Sequence, residues 1–224
     1  QLGVGTADGC AKAYHTMCVL SRLRPGKAAM ALDVSAAHQS LDRAFMKAEV
    51  ARECPELSRP LSVWYAPGDS STHWWRTGDG RVLDIDVEQG VDQGCPLASP
   101  AYGVSTARVA SESLADIRRI DHEASLMQYA DDTQLHLEPE ALSRAYGIVA
   151  GKWAQAGLKL NAAKTKVWTP DPATPLPPEW EDRRAHRLRC LGADMVDDRG
   201  SWTAPELGQE DDEPTQAAAT PRRS

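Results

Sequence analysis

The stretch that most constrains this chain is Tyr129-Ala130-Asp131-Asp132. Ser125-Leu126-Met127-Gln128 precedes it, an apolar-rich run that suits a strand. After it, Leu135 and Leu137 alternate with Gln134 and His136, the period of two expected of a half-buried strand. The two aspartates therefore sit at the tip of a hairpin. Adjacent carboxylates repel each other and lose hydration when packed, so the tip needs a counter-charge, and a divalent cation is the strongest available. Taken alone, Asp-Asp in a turn is more often a solvated surface feature. A third carboxylate changes that reading. Ala28-Ala29-Met30-Ala31-Leu32-Asp33-Val34 is another short apolar run ending in an acid. Laid beside the hairpin, it lets Asp33 meet Asp131 across a sheet. Carboxylates from two distant segments are what a pair of Mg²⁺ ions about 4 Å apart needs to clamp a phosphoryl transfer.

Two further blocks accompany these. Gln89-Gly90-Val91-Asp92-Gln93-Gly94-Cys95-Pro96-Leu97-Ala98-Ser99-Pro100 lies between the aspartate segments, and Gly157-Leu158-Lys159-Leu160-Asn161-Ala162-Ala163-Lys164-Thr165 follows them. With Ala31-Leu32-Asp33-Val34-Ser35-Ala36-Ala37 and Tyr129-Ala130-Asp131-Asp132, these four blocks, in this order, resemble the reverse transcriptase domain of non-LTR (LINE-type) retrotransposons. The likeness covers roughly residues 1–192. It implies an α+β polymerase palm, an antiparallel sheet with helices on one face, plus a remnant of the fingers. Partial fingers would occupy residues 1–27 and the palm 28–192. An acidic tail would fill 193–224, disordered from about Ala204 by its Pro-, Glu- and Ala-rich composition.

The activity implied is RNA-directed DNA polymerisation, with an RNA template, a DNA primer, deoxynucleoside triphosphates and two Mg²⁺ ions, or Mn²⁺ in their place. Asp33 and Asp131 are then the metal ligands, with the Val34 carbonyl, while Asp132 is a weaker ligand or balances the hairpin's charge. Gln93 and Gly94 face the nucleotide from a loop that opens a long helix, Leu97 to Ile120. Lys164 neutralises or protonates the leaving pyrophosphate. Two positions depart from the family's pattern. Gly5 stands where an arginine often meets the triphosphate. His38 stands where relatives carry Phe or Tyr, a ring that excludes a ribose 2′-hydroxyl. A smaller, polar ring able to accept a hydrogen bond from that hydroxyl predicts weaker exclusion of ribonucleotides.

Charge argues the other way on nucleic acid. The formal net charge is −7, where a strongly basic balance would mark a self-sufficient template binder. From Ala193 onward there are eight acidic residues against three basic ones, so most of that excess belongs to the tail. Five widely spaced cysteines, with no Cys-x-x-Cys, suit reduced thiols in an intracellular protein rather than a disulfide framework or zinc site. A nuclear location follows only from the family resemblance. No run of some twenty apolar residues suggests a membrane span. The start, at Gln1, reads like a fragment of a longer polyprotein.

Periodicity predicts a helix over Ala7–Leu23, with Asp8 as a possible N-cap and Ala11, Tyr14, His15, Cys18 and Val19 on its repeating positions. A second helix is expected over Ser40–Cys54 with Leu41, Ala44, Phe45, Ala48 and Ala51 on one face, then a break at Pro55 and Pro60. Gly78-Asp79-Gly80 marks a hairpin turn leading to a strand over Val82–Val87. Trp64, Trp74 and Trp75 read as core and hairpin packing in preference to base stacking. A helix from Pro139 to about Ala156 with Gly157 at its C-terminal end, a proline-stiffened loop over Asp171–Trp180 and a last strand over Leu188–Gly192 complete the expected order. Three alternative readings stand beside the polymerase: a decayed or truncated retroelement copy that folds without polymerising, an RNA-dependent RNA polymerase, and a non-catalytic nucleic-acid-binding or scaffold protein.

Overall fold

The computed structural model describes residues 7–65, 71–92, 94–191 and 193–196. The expectations for Gly5, for Gln93 and for the tail beyond residue 196 lie outside the described residues. Helix α1 (Gly9–Leu23) runs through the Arg24–Lys27 turn into strand β1 (Ala28–Leu32). A single turn, α2 (Ala37–Ser40), leads to α3 (Arg43–Glu53) and α4 (Pro55–Trp64), and then to the hairpin β2 (Ser71–Arg76) and β3 (Val82–Val87). The long helix α5 (Ala98–Ile117) precedes the aspartate hairpin, β4 (Ser125–Tyr129) and β5 (Asp132–Leu137). A 3-10 turn (Pro139–Ala141) opens α6 (Leu142–Ala154), and β6 (Lys166–Trp168), α7 (Pro178–Glu181), β7 (Arg187–Cys190) and β8 (Ala193–Val196) follow.

The fold is α+β. Its centre is a four-stranded sheet in the order β4-β5-β1-β6, antiparallel at every pairing. Alternation along the strands sends Met30, Leu32, Leu135, Leu137 and Val167 to one face, where they join Tyr102, Val109, Ile117, Val149 and Trp153 of α5 and α6 in the main core. Ala29 and Trp168 point to the other face, covered by Met17 of α1 and by Leu188, Cys190 and Met195 of the β7–β8 hairpin. His136, mid-strand in β5, is fully buried and its ring nitrogens have no hydrogen-bond partner among the described residues. Burial, with the nearby Lys27 and Arg24 charges, pushes its pKa down to about 4, so it sits in the sheet as a neutral ring. Where β1 begins, buried Lys27 donates to Asp121 Oδ1 at 2.9 Å, and Asp121 also accepts the Glu138 N–H at 2.8 Å. That pair ties the ends of β1 and β5 to the loop after α5.

Several elements depart from expectation. Asp8 occupies the N-cap of α1, but in the left-handed region and with no side-chain cap bond. The buried positions of α1 are Ala13, Met17 and Ser21, and Val19 is exposed. The helix expected from Ser40 is divided: Asp42 caps α3 by accepting from the Phe45 N–H, and the buried positions are Arg43, Met46, Glu49 and Val50. Pro55 starts α4 instead of breaking the chain, and Pro60 lies inside it. Trp64, Trp74 and Trp75 are 56%, 74% and 63% exposed, so none packs in a core. The segment expected to begin the tail opens with β8, paired to β7 from Cys190–Ala193 to Arg187–Val196.

Candidate active site

The β1–β5 register decides which carboxylates meet. Ala28 pairs with Leu137 and Leu32 with Thr133, so one further step sets Asp33 opposite Asp132. Tyr129 pairs with Asp132 on the other side, leaving Ala130 and Asp131 as a two-residue turn. Sequence reasoning put Asp131 across from Asp33. The antiparallel register makes Asp132 the direct neighbour instead, with Asp131 beside it on the turn. Ala130 bends the turn with φ 51, a left-handed conformation that costs a non-glycine residue about 1–2 kcal/mol. Backbone strain of this kind concentrates at functional sites.

Asp132 senses the other two acids. The Asp132 carboxyl is held above the usual range, first by burial, then by the Asp131 and Asp33 charges. Asp132 keeps access to solvent, yet enough protein surrounds it for desolvation to outweigh either neighbour. No ion pair joins Asp33, Asp131 or Asp132 to a cation among the described residues. The site thus gathers carboxylates that no ion pair among the described residues offsets.

The remaining blocks assemble around the segment that follows Asp33. The Asn161 N–H donates to the Asp33 carbonyl at 2.8 Å, and the Ser35 N–H donates to the Lys159 carbonyl at 2.9 Å, so Val34 is clamped opposite Leu160. The Val91 N–H donates to the His38 carbonyl at 2.7 Å, and the Gly90 N–H to the Leu41 carbonyl at 2.8 Å. Gly90 has φ +78, and a Cβ there would lie 2.3 Å from the Gln39 carbonyl oxygen. Gly157 repeats the device at φ +77, with Ser40 O 2.8 Å from its would-be Cβ. Both glycine-bearing blocks dock onto residues 39–42, immediately beyond His38. Buried Arg43 fastens the first of them, donating to the Gly90 carbonyl at 2.9 Å and the Val87 carbonyl at 2.7 Å.

Each expected site residue can now be placed. Asp33, Val34, Asp131 and Asp132 lie at one end of the sheet. His38 is half-buried, its ring stacked on Tyr102 with centroids 4.7 Å apart and planes 19° from parallel. Gly94 is exposed, with φ +88 and open space where a Cβ would be. Its glycine meets a need of the turn and brings no close approach. Lys164 is exposed on the turn after Asn161, whose Oδ1 accepts its backbone N–H at 3.3 Å. Its ammonium forms no ion pair with the aspartates. Gln93 lies outside the described residues. Sequence reasoning missed Tyr102, whose hydroxyl is buried without a hydrogen-bond partner among the described residues and whose phenol is pushed up by burial and then by the Asp131 charge. Its position on the fifth residue of α5, in the turn that enters the core, was the available signal.

No protein-family model matches the chain, and no curated protein sequence does. Solved structures do. Apo telomerase from Candida tropicalis superposes with a TM-score of 0.61 at 13% identity, over 87% of this chain and 36% of that one. Telomerase from Candida albicans, in complex with the TWJ fragment of telomeric RNA, gives 0.62 at 12%, over 88% and 35%. The C. tropicalis enzyme truncated from its C-terminal domain gives 0.61 at 14%, over 87% and 39%. The chain shares its fold with part of these telomerase structures. At these identities the likeness concerns the fold alone, and the chain spans little more than a third of each telomerase chain. Among the described residues, no helix is long and apolar enough to cross a membrane.

Proposed function

We propose that this chain is the palm, with a remnant of the fingers in residues 1–27, of an RNA-directed DNA polymerase of the non-LTR retrotransposon type. The observation that carries the reading is the register-driven convergence of Asp33 and Asp132, with Asp131 beside them, where the Asp132 carboxyl is held up by burial and then by its two acidic neighbours. The polymerase-type fold and the order of the four sequence blocks support it independently.

The donor set fits divalent cations. All the donors are hard oxygens, carboxylate or backbone carbonyl, and the Asp132 carboxyl is raised by burial and then by neighbouring negative charge that a cation would offset. Among the described residues no group of three or more Asp, Glu, His or Cys side chains is arranged to hold a metal ion by itself. Mg²⁺ is commonly held by one or two carboxylates, with substrate phosphates and water completing the shell. Such ions, when bound, supply Lewis-acid activation of a hydroxyl and neutralisation of a leaving phosphate. In this reading Asp33 and Asp131 hold them with the Val34 carbonyl, and Asp132 holds the charge balance of the turn. The reaction joins a primer 3′-oxygen to the α-phosphorus of a deoxynucleoside triphosphate and releases pyrophosphate, directed by an RNA template. Lys164 meets the departing pyrophosphate, and His38 meets the sugar.

Primer extension on poly-rA with Mg²⁺ or Mn²⁺ tests this. The chain is expected to extend the primer, and Asp131→Asn to lose about 10²-fold or more, the effect of removing a group that stabilises developing charge. Equal extension by both forms would sink the assignment. The Lys164 ammonium is exposed and has no ion pair among the described residues, which favours a second reading, a retroelement copy that keeps the fold and has lost turnover. Template binding without extension would establish that one.

A further inference from the structure

We propose that Tyr102 is a positioning residue that fixes the His38 ring for reading the sugar of an incoming nucleoside triphosphate, an inference that rests on the polymerase reading above. Tyr102 is fully buried, and its hydroxyl has no hydrogen-bond partner among the described residues. Its surroundings single it out. One face of the ring lies 4.7 Å from the His38 ring, 19° from parallel. The phenol also lies within the field of Asp131, which with burial keeps it protonated. Tyr102 is thus the side chain that touches the sugar-reading position while sensing the carboxylate cluster.

His38 is held from two directions. Its backbone carbonyl accepts the Val91 N–H at 2.7 Å, with Gly90 pressed against Gln39 next door. Its ring is held by the stack on Tyr102. An imidazole is smaller than the aromatic rings it replaces in the resembled family, and a small ring discriminates by contact only if it cannot swing aside. The stack supplies that restraint from a helix anchored in the main core, where Tyr102 is packed with Val109 and Trp153.

The test compares the full chain carrying Tyr102, Tyr102→Phe or Tyr102→Leu, each with His38 intact and with His38→Ala. Binding of a deoxynucleotide and of the matching ribonucleotide is measured on a primer–template complex with Ca²⁺ as the cation, so that turnover is not needed. Tyr102→Leu is expected to change the ratio of the two dissociation constants about three- to tenfold, the size of an aromatic-pair effect. Tyr102→Phe should keep the wild-type ratio, because the stack survives. In the His38→Ala background none of the variants should move it. A ratio unmoved by Tyr102→Leu, or moved equally with and without His38, overturns the proposal while leaving the polymerase reading intact. If every form fails to bind either nucleotide, the polymerase reading falls and the proposal with it. The His38 ring-proton resonances of the free chain give a readout without nucleotide: they should shift in Tyr102→Leu and stay near wild type in Tyr102→Phe. Should Tyr102→Leu not fold, Tyr102→Met removes the ring with less loss of volume and takes its place under the same criteria.

Discussion

At the scale of single residues, the site is a place where the fold gives up stability. Asp132 has its carboxyl raised by burial, by Asp131 and by Asp33. A group whose folded pKa lies above its unfolded value contributes stability only while protonated, and that contribution is lost as pH rises through the folded pKa. At pH 7 Asp132 is therefore a liability that an amide would remove. Asp132→Asn is expected to raise the melting temperature in the absence of divalent cations. Because Asp132 remains solvent-accessible, screening limits the gain to less than about 1 kcal/mol, or up to about 2–4 °C. The advantage should shrink as pH is lowered towards 4. Addition of Mg²⁺ should stabilise the wild type more than the variant, since a ligand of the native state adds its binding energy to folding. Thermal scans at two pH values, with and without Mg²⁺, check all of this; a variant that melts below the wild type at pH 7 would contradict it.

At the scale of elements, the strands and turns were more legible than the helix faces. The apolar run of β1, the alternation in β5 and the tip between Tyr129 and Asp132 could be read because period-two patterns and turn residues are local signals. The faces of α1 and α3 could not. In α3 the buried positions include Arg43 and Glu49, which look like surface residues in sequence. Glu49 is buried because Arg108 and Arg52 reach it at 2.9 and 2.6 Å, and Arg43 because two backbone carbonyls and the Tyr65 ring receive it. Such partners are distant in the chain and invisible to periodicity. The role of Gly90 was hidden for the same reason. Expectation fixed on Gly94, whereas Gly90 is the one pressed against another segment. Gly90→Ala should cost at least about 2 kcal/mol, combining a left-handed φ with a clash against backbone. Gly94→Ala, with the same sign of φ but open space, should cost only about 1–2 kcal/mol. Urea unfolding of the two variants separates them, and equal losses would mean that the contact with Gln39 carries no weight.

At the scale of the whole molecule, stability is unevenly distributed. The central sheet is buried between the main core and the α1–β7–β8 layer. The β2–β3 hairpin is a two-stranded ribbon, and Trp74, Trp75, Val82, Leu83 and Ile85 are all exposed on it. An isolated ribbon of two strands is marginal in water. Its two tryptophans, Trp74 and Trp75, looked like core or hairpin packing in sequence because composition reports hydrophobicity and says nothing of whether another element arrives to cover it. Native-state hydrogen exchange is expected to show β2–β3 amides opening about 10²-fold or more readily than those of β1 and β5. Similar protection in both regions would mean that the ribbon is supported as firmly as the sheet.

The pairing of Leu32 with Thr133 has one further consequence, for how such a chain tolerates change in length. Side chains on a strand alternate, so adding or deleting a single residue within β1 or β5 would turn one acid to the opposite face while leaving a plausible sheet. About a hundred residues between those strands, by contrast, run through helices and loops that absorb insertions at their surface turns. Copies of this chain that drift should therefore vary in length between the two acidic segments and hold a fixed count inside them, and a copy that breaks that count will have kept its shape and lost its chemistry.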